Sequence, residues 1–197
     1  FQKGGDTKKM ESIARHTILS SILSYKKKWS AKCGETIICC DGKDNWRKNY
    51  FPQYKGRRKE SKEESTTDWA SINSIMDNLR YDLEENFPYR VVVHDKAEGD
   101  DVIAVLTKYT QDNELVIEGL EETPQHVMNI SADHDFKQLY KYRNYAQYSP
   151  IQKVTVPRPD KYFLLEKVLT GDSGDGVPNV RSTDNTLMEG IRQKPIT

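Results

Sequence analysis

The sequence predicts an α/β fold with a mostly parallel central sheet and helices on both faces. Two observations predict it. Short, β-branched apolar runs alternate with longer segments of helical period, the pattern of strands joined by crossover helices. Each of those runs then empties into acidic residues, as expected where ligand-binding loops leave the C-terminal ends of parallel strands. At 197 residues the chain is long enough for one sizeable domain, or one domain with a small appendage.

The first helix is predicted from Met10, Ile13, Ile18, Ile22, Tyr25 and Trp29, which recur at helical spacing. The first strand follows at Thr36–Cys40 ("TIICC"). A second helix is predicted from Trp69, Ile72, Ile75, Met76, Leu79 and Leu83, with Thr67 as its N-cap. The second strand is Tyr89–Val93 ("YRVVV"), and Val102, Val105, Leu106 and Tyr109 mark a third helix starting near Asp100. The third strand is His126–Ile130 ("HVMNI"); the run Leu115–Ile117 is too short to assign. Tyr162, Leu165, Val168 and Leu169 mark a fourth helix behind Pro159, stopped by Gly171. The stretch Arg57–Thr67 is polar enough for a loop or connector, and no internal repeat is present.

Composition excludes several classes. No apolar run approaches the roughly 18 residues that span a bilayer, so no membrane association is expected. The first ten residues hold no apolar stretch of signal-peptide length. Cys33, Cys39 and Cys40 are too few and too clustered for a disulfide framework, and no CxxC suggests zinc; a reduced, cytoplasmic compartment is expected. His16, His94, His126 and His134 show no pairing pattern. Thirty basic and 30 acidic residues cancel to zero net charge, but they are segregated. Lys43–Glu60 holds seven bases and two acids; Asp95–Asp101 holds four acids and one base.

The acids carry the strongest signal. The first strand runs directly into Asp41, the second leads to Glu98, Asp100 and Asp101, and the third delivers Asp133 and Asp135. Asp172 and Asp175 lie in "GDSGDGVPNV". Eight carboxylates at one sheet edge would repel one another, and burial would raise their pKa values, unless something positive held them ionised. Oxygen-only ligation favours Mg²⁺ or Mn²⁺ over zinc. So many carboxylates suit two ions, which at about 3.5–4 Å apart can hold the attacking and leaving oxygens of a phosphoryl displacement. For a single Asp after a strand, capping a helix or turn is the ordinary role; it is the set at three strand ends that points to metal. Asp101 is placed in an outer layer of the site or at a helix N-terminus.

The basic stretch "WRKNYFPQYKGRRK" interleaves Trp46, Tyr50, Phe51 and Tyr54 with Arg47, Lys48, Lys55, Arg57, Arg58 and Lys59. Aromatic faces stack on bases and cations meet phosphates, the combination of a single-strand-binding surface. The alternative is a solvated surface helix. Trp46, Tyr50 and Tyr54 are four apart and would share a helix face, although Pro52 opposes one unbroken helix. In the glycine-rich turn, Gly174 and Gly176 are candidates to offer backbone N–H groups to a phosphate.

Taken together, "CCDG", "YKGRR", "AEGDDVIAVL", "SADHDFKQL" and "GDSGDGVPNV" resemble the 5′-nuclease family in order and spacing. That family comprises the flap endonucleases and the 5′-nuclease domains of bacterial DNA polymerase I. Within it, "WRKNYFPQYK", "EESTTDW", "SADHDFKQLYKY" and "YSPIQK" resemble most closely the branch of T-even-type bacteriophage ribonucleases H. The resemblance spans essentially the whole chain. It implies a PIN-like fold: an α/β metal-dependent nuclease core over 1–158, a basic arch or disordered loop at 43–66, and the start of a helix–three-turn–helix element in 159–197. It implies 5′→3′ hydrolysis of phosphodiesters in DNA and in RNA paired to DNA, at 5′ ends or flaps, for primer removal.

By the same resemblance, Asp41, Glu98, Asp100 and Asp133 match the carboxylates of a first Mg²⁺, and Asp135, Asp172 and Asp175 those of a second, with Mn²⁺ as a substitute. Lys55 and Arg58 match the basic pair near the scissile phosphate. Gly171–Val180 matches the duplex-gripping turn, which in this family often holds K⁺. The implied partners are branched or 5′-ended DNA and RNA–DNA duplex, with single-strand DNA-binding protein or sliding clamp as recruiters. A monomer is expected, in the host bacterial cytoplasm if the gene is a phage's.

The family pattern also has a strand ending in Asp ahead of the first helix, whereas Asp6 here sits in "GGDTKK" with no apolar run before it. A fragment of a longer protein is the expectation, with that strand, the second helix of the duplex-binding element and C-terminal helices in the native molecule. The missing aspartate supports an alternative, a non-catalytic, structure-specific binder of branched nucleic acid with the same fold. "GDSGDG" also resembles a late motif of haloacid-dehalogenase-type phosphatases, but those need DxD after their first strand, and Asp41 is followed by Gly42 and Lys43.

Overall fold

The computed structural model describes residues 5–112 and 125–196, so the run at 115–117 lies outside the described residues. The chain divides into two compact units: Phe1–Lys43 with Thr66–Pro157, and Asp44–Ser65 with Arg158–Thr197. The basic stretch therefore groups with the C-terminal region rather than with the strands that flank it in sequence.

In the first unit, helix α1 (Thr7–Cys33) begins where the Asp6 side chain accepts the Lys9 N–H at 3.1 Å. It ends at Gly34, whose φ of 71° lets its N–H reach back to the Ser30 carbonyl at 2.9 Å. Its Tyr25 and Trp29 pack edge-on against Tyr148, with centroids 5.9 and 6.0 Å away. Arg15 ties α1 to Asp82 of helix α3 (Trp69–Asn86). Helix α3 buries Ile75, Leu79 and Leu83, four apart on one face. Its cap is Asp68 rather than the expected Thr67: the Asp68 carboxylate accepts both the N–H and the hydroxyl of Ser71, at 3.0 and 2.8 Å.

Strands β1 (Ile37–Cys40) and β2 (Arg90–Val93) pair in parallel, Cys40 opposite Val93. Helix α4 (Gly99–Asp112) follows β2. Strand β3 (Val127–Ile130) pairs in parallel with β4 (Tyr145–Ser149), and β5 (Val154–Thr155) adds antiparallel to β4. The three expected strands and their parallel sense are present. The single sheet is not: among the described residues the strands form two sheets, β1–β2 and β3–β4–β5. Strands β4 and β5 lack the apolar run that marks the other three.

Phe136, Leu139, Tyr140 and Tyr145 form a buried cluster, covered by Ile103 and Ala104 of α4 and by Val127 and Tyr142. Phe136, Leu139 and Tyr140 belong to a 3₁₀ helix, His134–Lys141, directly after β3. This packing fixes the segment that follows β3 against the helix that follows β2. The three cysteines are free thiols, and burial, with neighbouring Cys40 adding to it, pushes Cys39 up to about 11. Among the described residues no helix is long and apolar enough to cross a membrane.

In the second unit, helix α2 (Gly56–Glu63) and helix α5 (Phe163–Thr170) flank irregular turns. Gly171 ends α5 as expected, with its φ of 69° and its N–H bonded to the Lys167 carbonyl at 3.0 Å. Buried Asn179 pins the last described segment: its N–H donates to Gln193 Oε1 at 2.7 Å and its side-chain amide to the Lys194 carbonyl at 2.8 Å.

Leu79 is 1% exposed. Leu79→Ala should cost about 2–5 kcal/mol of stability, read as an earlier midpoint in urea unfolding. A loss under about 1 kcal/mol would show that α3 is not the buried helix described.

Candidate functional site

The site in the first unit is built where β1 and β2 end. Asp41 is the first residue beyond β1. Its Oδ1 accepts the N–H of Gly99, the first residue of α4, at 2.7 Å. Next to it, the Gly42 N–H donates to the Ala97 carbonyl at 2.8 Å. A Cβ on Gly42 would sit 2.0 Å from the His94 carbonyl oxygen, so only glycine allows the loops after β1 and β2 this close. A Cβ on Gly99 would lie 3.1 Å from the Cys39 carbonyl oxygen and 3.3 Å from Asp41 Oδ1. These two glycines bring Asp41 against the segment that carries Glu98, Asp100 and Asp101.

Glu98 stands just ahead of α4, and its N–H is accepted by Asp101 Oδ2 at 3.1 Å. Asp101 thus caps the helix, one of its two expected roles. Asp100 lies exposed in the first turn, where the N-terminal end of the helix dipole favours a carboxylate.

After β3, Asp133 caps the 3₁₀ helix, its Oδ1 accepting the Asp135 N–H at 2.8 Å. The Asp133 N–H is itself accepted by Ser131 Oγ at 3.1 Å. Asp133 is exposed and Asp135 half-buried. Neither Asp41 nor Asp133 forms a salt bridge among the described residues. The donors are all hard oxygens, which fits Mg²⁺ or Mn²⁺ in kind. Among the described residues, no three His, Cys, Asp or Glu side chains stand close enough to close around one ion.

The second unit treats its two acids differently. Asp172 Oδ2 takes a 2.9 Å hydrogen bond from Lys167 Nζ, while its Oδ1 accepts the N–H groups of Gly174 and Asp175 at 2.9 and 3.1 Å. Its backbone closes the turn on Val177 with two 2.8 Å bonds. Burial raises the Asp172 carboxyl, but Lys167 and the N–H groups of Asp175 and Gly174 outweigh it, and the group titrates below its usual range. The turn is therefore fully clasped above the ordinary carboxyl range and unclasps only as pH falls through that lowered value.

Asp175 binds the base of the basic stretch. Its Oδ1 accepts Arg58 Nη2 at 2.7 Å and lies 3.9 Å from Lys55 Nζ; its Oδ2 accepts the Tyr54 hydroxyl at 3.1 Å. Its carbonyl accepts the Lys55 N–H at 2.8 Å, and the Gly174 carbonyl accepts Arg58 Nε at 3.2 Å. Gly176, at φ 80°, is close enough to residue 53 that a Cβ would meet the Gln53 carbonyl oxygen at 2.9 Å.

Several expected roles look different in place. The N–H groups of Gly174 and Gly176 are spent inside the turn, on Asp172 Oδ1 and on the Ser173 carbonyl. Trp46, Tyr50 and Tyr54 do not share one helix face. Trp46–Asn49 is a 3₁₀ helix ending at Tyr50, ahead of Pro52, and Tyr54 is 6% exposed because its hydroxyl is drawn to Asp175. Trp46 and Tyr50 remain exposed, edge-to-face at 5.8 Å, with the Arg47 guanidinium 4.7 Å from the Trp46 ring centre. Lys48 and Arg57 are exposed. Two residues that sequence reasoning passed over are Lys167, five before Asp172, and Gln147, inside β4. A lone Lys in a helix and a Gln in a polar strand carry no motif.

Comparison with known proteins shows the family. A family model for the N-terminal resolvase-like domain of 5′-3′ exonucleases matches residues 4–168. The chain is 34% identical over 190 residues to the ribonuclease H of Enterobacteria phage T4, a match covering 92% of this chain and 59% of that protein. Among solved structures it is similar to the bacteriophage T5 flap endonuclease solved with DNA and metal ions, at TM-score 0.62 and 23% identity, covering 86% of this chain and 62% of that one. It is also similar to the T5 5′-exonuclease with divalent zinc bound, at TM-score 0.63 and 25% identity over the same shares. The chain thus spans less than two thirds of each of these relatives. With its parallel strands, its acids at the strand exits and this match over most of its length, the chain belongs to the 5′-3′ exonuclease family, through that family's N-terminal resolvase-like domain.

Proposed function

We propose that this chain is the core of a metal-dependent 5′→3′ nuclease that hydrolyses phosphodiesters at 5′ ends or flaps of DNA and of RNA–DNA duplexes, and so removes replication primers. One observation carries the reading. Asp41 and Asp133, at the exits of two strands in the same unit, are held by backbone N–H groups and, among the described residues, by no cation. A carboxylate fixed this way is oriented but not neutralised, as a metal ligand must be.

Asp41, Glu98, Asp100 and Asp133 are the proposed ligands of one divalent ion, and Asp135 is a proposed ligand of a second. Bound divalent cations supply a water of lowered pKa and charge stabilisation for an in-line displacement at phosphorus. The protein's own part is to hold the carboxylates in place and to present cations to the phosphate. Lys55 and Arg58 are the cations proposed to offset charge developing on the phosphate oxygens. Trp46, Tyr50 and Arg47 offer stacking and ionic contact to an unpaired 5′ strand. Such contacts read strand geometry and backbone rather than sequence. Asp172 and Asp175 match a second ion's ligands only by resemblance. They would have to exchange Lys167, and Arg58 with Lys55, for metal. The proposed partners are branched or 5′-ended DNA and RNA–DNA hybrids, with single-strand DNA-binding protein or a sliding clamp as recruiters.

A second reading, structure-specific binding without turnover, draws on the open spacing of the acids. Cleavage of a 5′-labelled flap by the complete reading frame separates the two. Mg²⁺ should support cleavage and EDTA should stop it. Asp133→Asn should abolish turnover with flap binding retained, since the amide oxygen can still accept the Asp135 N–H and only the charge is lost. Full activity in that variant would remove Asp133 from the site. Lys55→Ala should slow single-turnover cleavage by about one to three orders of magnitude, the scale of one oriented electrostatic group. An unchanged rate would take Lys55 out of the chemistry.

A further inference from the structure

We infer that Gln147 is the positioning residue for the acid-bearing segment after β3, an inference that rests on the nuclease reading above. Gln147 lies on β4, opposite Asn129 of β3, and is 0% exposed. Its side-chain nitrogen lies 2.9 Å from the Ser131 carbonyl oxygen and 2.6 Å from that of Asp133. Two carbonyl oxygens at such range admit only the NH₂ end of the amide, so its orientation is fixed by chemistry. One proton goes to each carbonyl, on either side of Ala132.

The segment needs this help. The Ser131 N–H extends the parallel ladder by one bond, to the Tyr148 carbonyl at 3.0 Å, and the chain then leaves the sheet. Beyond that point the Ser131 and Asp133 carbonyls have no strand to pair with, and each takes a donor from outside the ladder. Gln147 supplies both. With the Asp133 backbone held at 2.6 Å and its Oδ1 bonded to the Asp135 N–H, the position of Asp133 and the start of the 3₁₀ helix are set from β4.

The backbone of Gln147 is equally committed. Its N–H is accepted by the Tyr140 hydroxyl at 3.2 Å, its carbonyl accepts the Val156 N–H at 2.8 Å, and the Tyr140 hydroxyl donates to the Val156 carbonyl. The anchor cannot drift along the strand. The Gln147 Oε1 is buried with no hydrogen-bond partner among the described residues, a cost set against the two carbonyls that its NH₂ group meets. What an apolar replacement would lose is the pair of N–H donors aimed at the loop of Asp133. Outer residues that orient metal ligands typically change metal affinity or activity about 10–100-fold when removed.

The test uses the complete protein with Mn²⁺ alone as the probe. Gln147→Leu keeps the volume and removes both donors; Gln147→Glu keeps the shape and sets a carboxylate against two carbonyls. The measurements are thermal melting, Mn²⁺ titration by calorimetry without DNA, and the Mn²⁺ dependence of flap cleavage. The expected result is a folded Gln147→Leu whose Mn²⁺ affinity falls about 10–100-fold, whose cleavage recovers at high Mn²⁺, and whose KM for DNA is unchanged, with a larger loss for Gln147→Glu. A folded Gln147→Leu that binds Mn²⁺ as wild type does would overturn the role. If Gln147→Leu does not fold, Gln147→Met takes its place; if neither folds, the residue serves the fold and the positioning role is also overturned. If the wild-type protein itself takes no Mn²⁺, the metal reading has failed, an outcome distinct from equal binding by wild type and variant.

Discussion

The arrangement in the first unit depends on one close approach, between the chain leaving β1 and the chain entering α4. Gly42 lies so near the His94 carbonyl that no side chain fits, and Gly99 lies against Cys39 and Asp41. The 2.7 Å bond from the Gly99 N–H to Asp41 closes the contact. A helix N-terminus presents unpaired N–H groups and a partial positive charge, so it can receive a carboxylate from outside the helix. Two acid-bearing segments 58 residues apart in sequence become neighbours through it. The buried cluster around Phe136 and Tyr145 then fixes the third acid-bearing segment against the same helix, through Ile103 and Ala104.

The chain holds its acids in two ways. Asp41 and Asp133 accept backbone N–H groups, which orient a carboxylate and leave its charge available. Asp172 and Asp175 are met by Lys167, and by Arg58 with Lys55, which use the charge to fasten one segment to another. The residue types and short spacings are alike, but the consequences differ. In the second unit the acids organise the glycine-rich turn and seat the base of the basic stretch on it. Lys55 takes a positive φ of 55° there while its N–H bonds to the Asp175 carbonyl. The two cations proposed to meet a phosphate are thus already placed side by side by Asp175.

Much of this was legible from residue patterns, for identifiable reasons. β1, β2 and β3 are short apolar runs of the kind buried parallel strands require, and α1, α3, α4 and α5 show helical periodicity with clear stops such as Gly171. β4 escaped notice because "YAQYS" spends its buried positions on Tyr145, Gln147, Tyr148 and Ser149 rather than on branched aliphatics. Its pairing with β3 is a long-range fact that no local pattern encodes. The cap of α3 moved from Thr67 to Asp68 because a carboxylate one residue later can serve both donors of Ser71. The acids were visible as a set, but their partners were not. Nothing in the spacing of Asp175 and Arg58 foretells a 2.7 Å bond across 117 positions, and nothing in a lone Gln marks it as the support of Asp133.

The central claim is that divalent ions gather at the strand exits of the first unit. Paramagnetic broadening by Mn²⁺, followed amide by amide in the complete protein, tests it most directly. At substoichiometric Mn²⁺ the account predicts that the amides of Gly42, Gly99 and residues 131–135 broaden first. Early broadening confined to the turn at 171–177, with those amides untouched, would contradict it.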